Sequence, residues 1–370
     1  MSFNKSLARR LAIILLTAVM LLLITACLPD EPQSTFGAEG KIARDQEGLF
    51  KFIFWIAVIV FVVVEGVLVY FIFKYRRKAN DTSIPPQIHG NNRLEIAWTL
   101  LPVLILAAIA IPTYRTIADH KDPPEGDALK VEVIGHQWWW EFRYPDLGVI
   151  TANEMHIPVD KTILVALESQ DVIHSFWIPK LAGKTDVIPG HINVMWLVAD
   201  NPGQSYYGQC AELCGLAHAQ MRFRVNTHTQ ADFDAWVKAQ QSPPAPPAAN
   251  SLAAKGATTF AVKGCVACHT INGPDAPGVQ EGRAQGFEQG RASFPAPNLT
   301  TFGDRITLGA GLVELNEQNL RKWLEDPANI KPGNRMTELA QAYTDSNSAL
   351  TTEDVDALVA YLMSRKAAAK

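Results

Sequence analysis

Two long apolar segments in the N-terminal third constrain this chain more than any other feature. Residues 50–73 and 96–113 each approach the roughly 20 residues that an α-helix needs to span a bilayer. The loop between them contains the basic run 74–78, which reads Lys-Tyr-Arg-Arg-Lys. Because short loops rich in Lys and Arg stay in the cytoplasm, the pattern predicts a transmembrane hairpin whose two outer flanks face the outside of the cell.

The first residues are typical of an exported bacterial lipoprotein. A basic start precedes an apolar run from Leu11, and Cys27 follows Ile-Thr-Ala at the position of signal cleavage. We therefore expect a lipoprotein signal peptide and a lipidated Cys27 that adds an anchor to the hairpin. The alternative is an uncleaved anchor helix with an incidental thiol. Export of Cys27 requires the same orientation that the basic loop predicts.

The pattern changes twice after the hairpin. Short β-rich runs, among them 129–134, 162–167 and 192–198, predict an antiparallel β-sandwich. A Pro-rich stretch then predicts an extended linker, and an amphipathic helix over 351–365 begins with a capping-box pattern. The predicted order is a signal peptide over 1–26, an N-terminal segment with the transmembrane hairpin over 27–118, a β-sandwich over 127–240, a linker over 241–250 and a helical domain over 251–370.

One short loop concentrates metal-binding side chains. The residues from Cys210 to Met221 include two thiols, an imidazole and a thioether, and a second imidazole, His174, lies upstream. Soft sulfur donors with imidazole select copper, and zinc sites do not normally recruit a thioether. A mononuclear blue-copper centre needs only one Cys, so Cys214 is in excess. The two cysteines are therefore predicted to bridge two coppers, with one of His174 and His218 on each and Met221 as a weak donor.

Glu212 lies between the two cysteines. Its backbone carbonyl is predicted to be a further weak copper donor, while its carboxylate stays available for a hard cation such as Mg²⁺. Two loops at one end of a rigid sandwich keep the reorganisation of such a site small, as an electron carrier requires. The competing interpretation is a zinc or disulfide loop in which His174 and Met221 are core residues.

A second motif predicts covalent haem. The sequence Cys265-Val-Ala-Cys268-His269 is the c-type attachment pattern, and its maturation also requires export. His269 is the predicted proximal ligand. For the distal ligand we favour Met336, in a predicted loop, over Met363, which belongs to the amphipathic helix and is expected to pack in the core. Met–His ligation raises the haem potential.

Three consecutive tryptophans occur in a β-like run. Alternation along a strand puts Trp138 and Trp140 on one face and Trp139 on the other, so at least one is expected to be exposed or at an interface. Glu95, just before the second apolar segment, is expected either to cap that helix or to face water and feed protons to a partner. Glu65 interrupts the first segment, where a carboxylate is either functional or paired with a partner subunit.

Together these residues resemble subunit II of haem–copper cytochrome c oxidase, in the form with a fused C-terminal cytochrome c domain. The likeness implies a multidomain membrane protein with a transmembrane hairpin, a cupredoxin-like β-sandwich and an all-α class I cytochrome c domain. Trp139 departs from the family, where Tyr is frequent, as does Thr337, where Pro is frequent. The motifs that carry the resemblance are residues 94–99, 135–140, 174–177, 210–221, 297–300, 307–311 and 331–336.

The resemblance also implies roles. Trp138 would be the point where electrons reach the copper centre. Glu95 would be the mouth of a proton channel, and Glu212 would be a Mg²⁺ ligand shared with subunit I. The chain would be the electron-input subunit of a proton-translocating cytochrome-c oxidase, passing electrons from haem c through copper to the oxygen-reducing site of subunit I. The implied ligands of the dinuclear CuA centre are His174, Cys210, the Glu212 carbonyl, Cys214, His218 and Met221.

The expected partners are oxidase subunits I and III, the bacterial plasma membrane, and an external donor that is a cytochrome c, a small copper protein or a membrane complex. The formal net charge of -4 is too small to favour nucleic acid. Two alternatives are a CuA subunit of a nitric oxide or nitrous oxide reductase and a non-catalytic copper chaperone or redox sensor. The motif around Glu95 and the fused haem domain favour the oxidase. Residues 271–294 look like an insertion without a readable role.

Overall fold

The computed structural model describes residues 10, 13–20, 31–77, 84, 86–242, 244–271 and 296–367. Cys27 and the expected cleavage position lie outside the described residues, as does nearly all of the insertion expected over 271–294. The prediction of a lipidated N-terminus therefore stays a prediction.

Two helices correspond to the predicted hairpin. α1 (Lys41–Lys74) and α2 (Asn92–Lys121) are long and apolar enough to cross a membrane. Both run beyond the apolar segments on the outer side, where they contact the β-sandwich. Asn91 caps α2, since its side chain accepts hydrogen bonds from two backbone amides of the first turn. The Glu95 carboxylate accepts a bond from the Asn91 amide at 3.1 Å, so it also caps the helix.

The chain after the hairpin forms ten strands, which make two five-stranded sheets. The strands are β1 (Ala128–His136), β2 (Trp139–Tyr144), β3 (Val149–Ala152), β4 (Glu154–Pro158), β5 (Thr162–Ser169), β6 (His174–Trp177), β7 (Thr185–Val187), β8 (Asn193–Leu197), β9 (Ser205–Cys210) and β10 (Arg222–His228). The sheet orders are β3-β2-β1-β5-β8 and β4-β10-β9-β6-β7, and the apolar side chains between the sheets make one core. A helix, α3 (Gln230–Gln240), follows the last strand.

The predicted sandwich is confirmed, but two of its strand pairs are parallel. Leu129 of β1 lies opposite Ile163 of β5, and Val225 of β10 lies opposite Met155 of β4. Between β1 and β5 the chain passes through β4 of the other sheet, which allows it to return in the same direction. Alternation of apolar residues reports which face of a strand is buried but not the direction of the neighbouring strand.

The helical domain that follows has a separate core. Its elements are α4 (Leu252–Val262), β11 (Thr307–Leu308), β12 (Val313–Glu314), α5 (Glu317–Glu325), α6 (Pro327–Ile330), α7 (Arg335–Leu339), α8 (Gln341–Thr344) and α9 (Thr352–Ser364). The apolar face predicted for the last helix is buried, and Thr351 and Asp354 form the predicted capping box. Met363 packs against this core, as predicted.

Met336 corrects one prediction. It lies in the first turn of α7 rather than in a loop. The Asn334 side chain accepts a hydrogen bond from the Thr337 amide and so begins a helix that is too short for apolar periodicity to reveal. The Met336 side chain is half-buried.

Candidate copper and haem sites

Adjacent strands bring the predicted copper ligands to one end of the sandwich. His174 begins β6 and Cys210 ends β9, and these strands are neighbours in the same sheet. The remaining side chains come from the loop between β9 and β10. Because strand pairing fixes the backbone at His174 and Cys210, two residues far apart in sequence meet in a rigid setting. His174 and Met221 are fully buried, and both cysteines are nearly so.

The sulfur and imidazole atoms form one cluster. The two Sγ atoms of Cys210 and Cys214 lie 3.7 Å apart, and both residues are free thiols rather than a disulfide. His174 Nδ1 lies 3.9 Å from the Cys210 sulfur, and His218 Nδ1 lies 3.7 Å from the Cys214 sulfur. The Met221 Sδ is 3.8 Å from the Cys214 sulfur. Two thiols between two imidazoles, with a thioether beside them, make a donor set that suits copper.

Glu212 presents its two oxygen-bearing groups differently. Its backbone carbonyl accepts a hydrogen bond from the Cys210 thiol at 3.2 Å and therefore faces the sulfur cluster. The residue is otherwise exposed. The roles of the carbonyl at copper and of the carboxylate at Mg²⁺ stay predictions.

The two thiols titrate together. The hydrogen bond with Cys214 lowers the pKa of Cys210 to about 3, and the same contact raises the pKa of Cys214. The protonation of each thiol therefore depends on the protonation of the other. Burial lowers the pKa of His174, but its hydrogen bonds to Asp171 and Cys210 outweigh that effect, so the net shift is upward. An electron-rich thiolate pair is the state that ligates a metal.

Asp171 is a site residue that the sequence interpretation missed. Its carboxylate lies 2.9 Å from His174 Nε2, which donates to it and leaves Nδ1 directed toward the Cys210 sulfur. The amides of Gln137 and Val172 also donate to this carboxylate. A carboxylate behind a ligating histidine orients the ring and selects the tautomer. The available signal was an acid three residues before a predicted ligand.

The three tryptophans occupy two faces, as alternation predicts. Trp138 Nε1 donates to the Cys214 carbonyl at 3.0 Å, and the Gln137 side chain donates to the same oxygen at 2.7 Å. Trp138 is therefore hydrogen-bonded directly to the loop between β9 and β10, here called the copper loop. Trp140 lies in the sandwich core, whereas Trp139 stacks on His136 on the opposite face. All three are buried because the haem domain covers Trp139.

The haem-attachment motif is arranged for ligation. Cys265 and Cys268 are half-buried free thiols in one turn. His269 Nδ1 donates to the Pro297 carbonyl at 2.8 Å, which leaves Nε2 as the ligand atom. Burial lowers the pKa of His269 and favours the neutral imidazole that a metal binds. These donors fit a covalent haem, while the position of Met336 on the distal side stays a prediction.

Three family descriptions match successive parts of the chain. The description "Cytochrome C oxidase subunit II, transmembrane domain" matches residues 36–116, and "Cytochrome C oxidase subunit II, periplasmic domain" matches 149–228. The description "Cytochrome c" matches 253–366. The hairpin, the sandwich and the helical domain thus each match a known module.

Long relatives contain all of these modules in one chain. Cytochrome c oxidase subunit 2 of Alkalihalophilus pseudofirmus is 37% identical over 350 residues, covering 93% of this chain and 94% of the relative. Cytochrome c oxidase subunit 2 of Bacillus subtilis is 36% identical over 373 residues, which cover 97% of this chain and 98% of that relative. The solved periplasmic domain of subunit II of cytochrome oxidase from Bradyrhizobium japonicum is 36% identical, with a TM-score of 0.30, and covers 31% of this chain and 94% of that domain.

Proposed function

The chain belongs to the cytochrome c oxidase subunit II family and carries a C-terminal cytochrome c domain, and from this premise we propose that it passes electrons from that domain through its copper loop to the oxygen-reducing site of subunit I, coupled to proton translocation. The single observation that carries this proposal is the cluster of His174, Cys210 and Cys214, whose ligand atoms all lie within 4.8 Å of one another. The subunit II and cytochrome c domains imply CuA and haem c as cofactors.

The copper loop supplies a preorganised donor set. His174, Cys210, Cys214 and His218 are the proposed ligands, with Met221 and the Glu212 carbonyl as weak donors. A dinuclear copper centre, when bound, accepts and releases one electron. The chain's own contribution is rigidity: strand pairing holds His174 opposite Val187 and Cys210 opposite Phe176, and Asp171 orients the His174 ring. Little has to move when the charge changes.

Trp138 is the proposed connection toward the copper loop. Its indole nitrogen bonds to the Cys214 carbonyl, which supports a short covalent and hydrogen-bonded route to the sulfur cluster. On the haem side, Cys265 and Cys268 are proposed to hold the porphyrin, with His269 and Met336 as its axial ligands. The Pro297 carbonyl keeps the His269 ring in the tautomer that ligation needs.

Further roles follow from the family and from exposure. The exposed Glu212 carboxylate is a candidate Mg²⁺ ligand at the contact with subunit I. Glu95 is proposed as the mouth of a proton channel in addition to its capping bond. Subunits I and III are the proposed partners, with a cytochrome c, a small copper protein or a membrane complex as donor. We place the chain in the bacterial plasma membrane, anchored also through Cys27, with both soluble domains outside the cytoplasm.

The test is Cys214→Ser in the complete oxidase. The substitution removes one bridging sulfur, so we expect the copper signal to be lost, oxygen uptake to stop, and haem c to remain reducible by the donor. Copper content and low-temperature EPR check the first point, and two coppers sharing one unpaired electron in the wild type identify the dinuclear centre. Full oxygen uptake by the variant would show that electrons bypass the copper loop.

Controls distinguish the competing functions. Cys268→Ser disrupts haem attachment and should leave the copper EPR signal intact. A copper chaperone or redox sensor would copurify without subunits I and III and would support no oxygen uptake in the wild type. A nitrogen-oxide reductase would consume nitric or nitrous oxide in place of oxygen.

A further inference from the structure

One carboxylate joins the two soluble domains. Glu154, the first residue of β4, is only 2% exposed. Its side chain accepts hydrogen bonds from the Ile306 amide at 3.0 Å, the Thr307 amide at 2.8 Å and the Thr307 hydroxyl at 2.7 Å. All three donors belong to the cytochrome domain. Burial raises the pKa of Glu154, and the bonds from Thr307 offset part of that increase.

A second set of contacts surrounds the tryptophans. Lys331 of the cytochrome domain is 4% exposed and donates to the Trp138 carbonyl at 2.5 Å and to its own domain's Gly309 carbonyl at 3.3 Å. Ala310, the residue that follows Gly309, is buried against Trp139. The backbone around both tryptophans is thus covered by the haem domain.

A third contact between the domains involves Gly311, in the turn after β11. Arg224 of β10 donates to the Gly311 carbonyl at 3.1 Å. Gly311 has a φ of +75°, and a Cβ there would lie 3.3 Å from the Phe223 amide nitrogen. A larger residue at this position would be strained by the positive φ and would press on the backbone of the sheet.

These contacts differ from those of a transient electron-transfer complex. Transient redox encounters are small and wet, so that partners separate quickly. Here a carboxylate and an ammonium group are both withdrawn from water, and each needs the other domain to satisfy its hydrogen bonds. Removing one partner from a buried polar contact is costly, because the group that remains lacks its bonds. A domain held in this way does not need to search for its docking position.

We infer that Glu154 is a positioning residue that holds the cytochrome domain in one fixed orientation over Trp138 and Trp139, so that electron transfer between the domains needs no docking step. This inference rests on the proposed electron route. If the inference holds, the Pro-rich linker connects two domains that are already docked. The length of the linker then does not determine the rate of electron transfer between them. Fixed docking also means that Trp138 is reached through the fused domain, since external donors meet the haem domain first.

The test uses the full, copper-loaded and haem-loaded protein. An electron is injected photochemically into the haem, and its arrival at copper is followed optically at several solvent viscosities. For the wild type we expect a rate independent of viscosity. Glu154→Gln places an amide group against three donors, so we expect the rate to fall by about tenfold or more and to become viscosity-dependent, because small misplacements slow transfer strongly.

Glu314→Gln is the matched control. Glu314 is an exposed carboxylate on β12, directly opposite Thr307, so the substitution removes a nearby charge without touching the domain contact. Its rate should equal that of the wild type. Copper EPR and haem spectra establish that Glu154→Gln has folded. If it has not, Thr307→Val, which removes one donor and keeps the carboxylate, should show the same changes to a smaller degree.

The outcomes separate the two hypotheses. An unchanged, viscosity-independent rate in folded Glu154→Gln and Thr307→Val overturns the positioning role and leaves the electron route intact. A wild-type rate that already falls with viscosity overturns fixed docking. If the wild-type haem is reduced and copper never receives the electron, the proposed route itself fails.

Discussion

At the scale of single residues, a buried charge network supports the tryptophan run. Glu141 is 1% exposed, lies 3.3 Å from His136 Nε2 and accepts a hydrogen bond from Arg143 Nε at 2.6 Å. Burial alone raises the pKa of Glu141, but the bond to His136 and the charge of Arg143 outweigh it and lower the pKa to about 2. His136 in turn stacks on Trp139 at 4.1 Å. The network therefore fixes the surface on which the haem domain rests.

We expect Glu141→Gln to destabilise the protein by about 3 to 5 kcal/mol, because it removes the carboxylate that balances Arg143 in the interior. The ionised carboxylate stabilises the fold above its ordinary pKa of 4.5, and this contribution is lost as the pH falls from there toward 2. Denaturant unfolding of the full chain between pH 7 and 2 checks both effects. The exposed Asp146→Asn serves as control, and an equally steep acid dependence in Glu141→Gln would contradict the assignment.

At the scale of elements, the haem domain depends on the close packing of two helices. A Cβ on Gly256 of α4 would lie 1.9 Å from the Ala357 carbonyl of α9. The absence of a side chain therefore sets the distance between the helices, and the apolar face of α9 reaches the core only at that distance. Glycine is retained despite its low helix propensity, since no other residue permits the contact.

Gly256→Ala should consequently lower the stability of the cytochrome domain by about 1 to 3 kcal/mol, since overpacking forces the helices apart. The unfolding temperature of this domain, followed by haem absorbance, is the measurement. Thr258→Ala on the exposed side of the same helix provides the comparison and should leave that temperature nearly unchanged. Equal temperatures for the two variants would mean that α9 adjusts without cost.

At the scale of the whole molecule, the sandwich is attached to the outer ends of both membrane helices. The Glu39 carboxylate, just before α1, accepts a hydrogen bond from the Tyr206 hydroxyl at 2.7 Å. His120, near the end of α2, contacts Asp45 of α1 at 3.1 Å and accepts a bond from the Trp196 indole through its carbonyl. These contacts set the orientation of the copper loop relative to the membrane.

Gly40 tests this attachment. A Cβ there would lie 2.6 Å from the Leu181 carbonyl and 2.7 Å from the Val198 carbonyl. We expect Gly40→Ala to loosen the sandwich from the helices and to increase proteolysis in the stretch 122–126 several-fold. Gly48→Ala is the matched control, because within the described structure a Cβ at Gly48 would meet nothing within 4 Å beyond its chain neighbours and the nearby backbone of its own helix. Equal cleavage of both variants would show that the attachment does not depend on this approach.

Local patterns in the sequence were sufficient for the fold of each module and for the cluster of candidate ligands. Apolar length predicted the hairpin, period-two alternation predicted the sandwich and the faces of the tryptophans, and the capping pattern predicted the last helix. These features are recognisable because each depends on residues that are close in sequence. The copper loop is of the same kind, since four of its side chains lie within twelve residues. The parallel strand pairs and the short helix at Met336 were not predicted, because pairing direction and short capped turns leave no periodic signal.

The sequence by itself determined which chemistry the chain carries: thiols, imidazoles and a haem-attachment motif on the outer side of a predicted membrane hairpin. Only the tertiary structure decided how these parts are connected. Asp171 orients His174, Glu154 holds Thr307, and Lys331 reaches the Trp138 carbonyl through contacts between residues that are mostly distant in sequence. A carboxylate or ammonium group acquires such a role from burial and from the donors that surround it. Those conditions arise when the domains pack against each other.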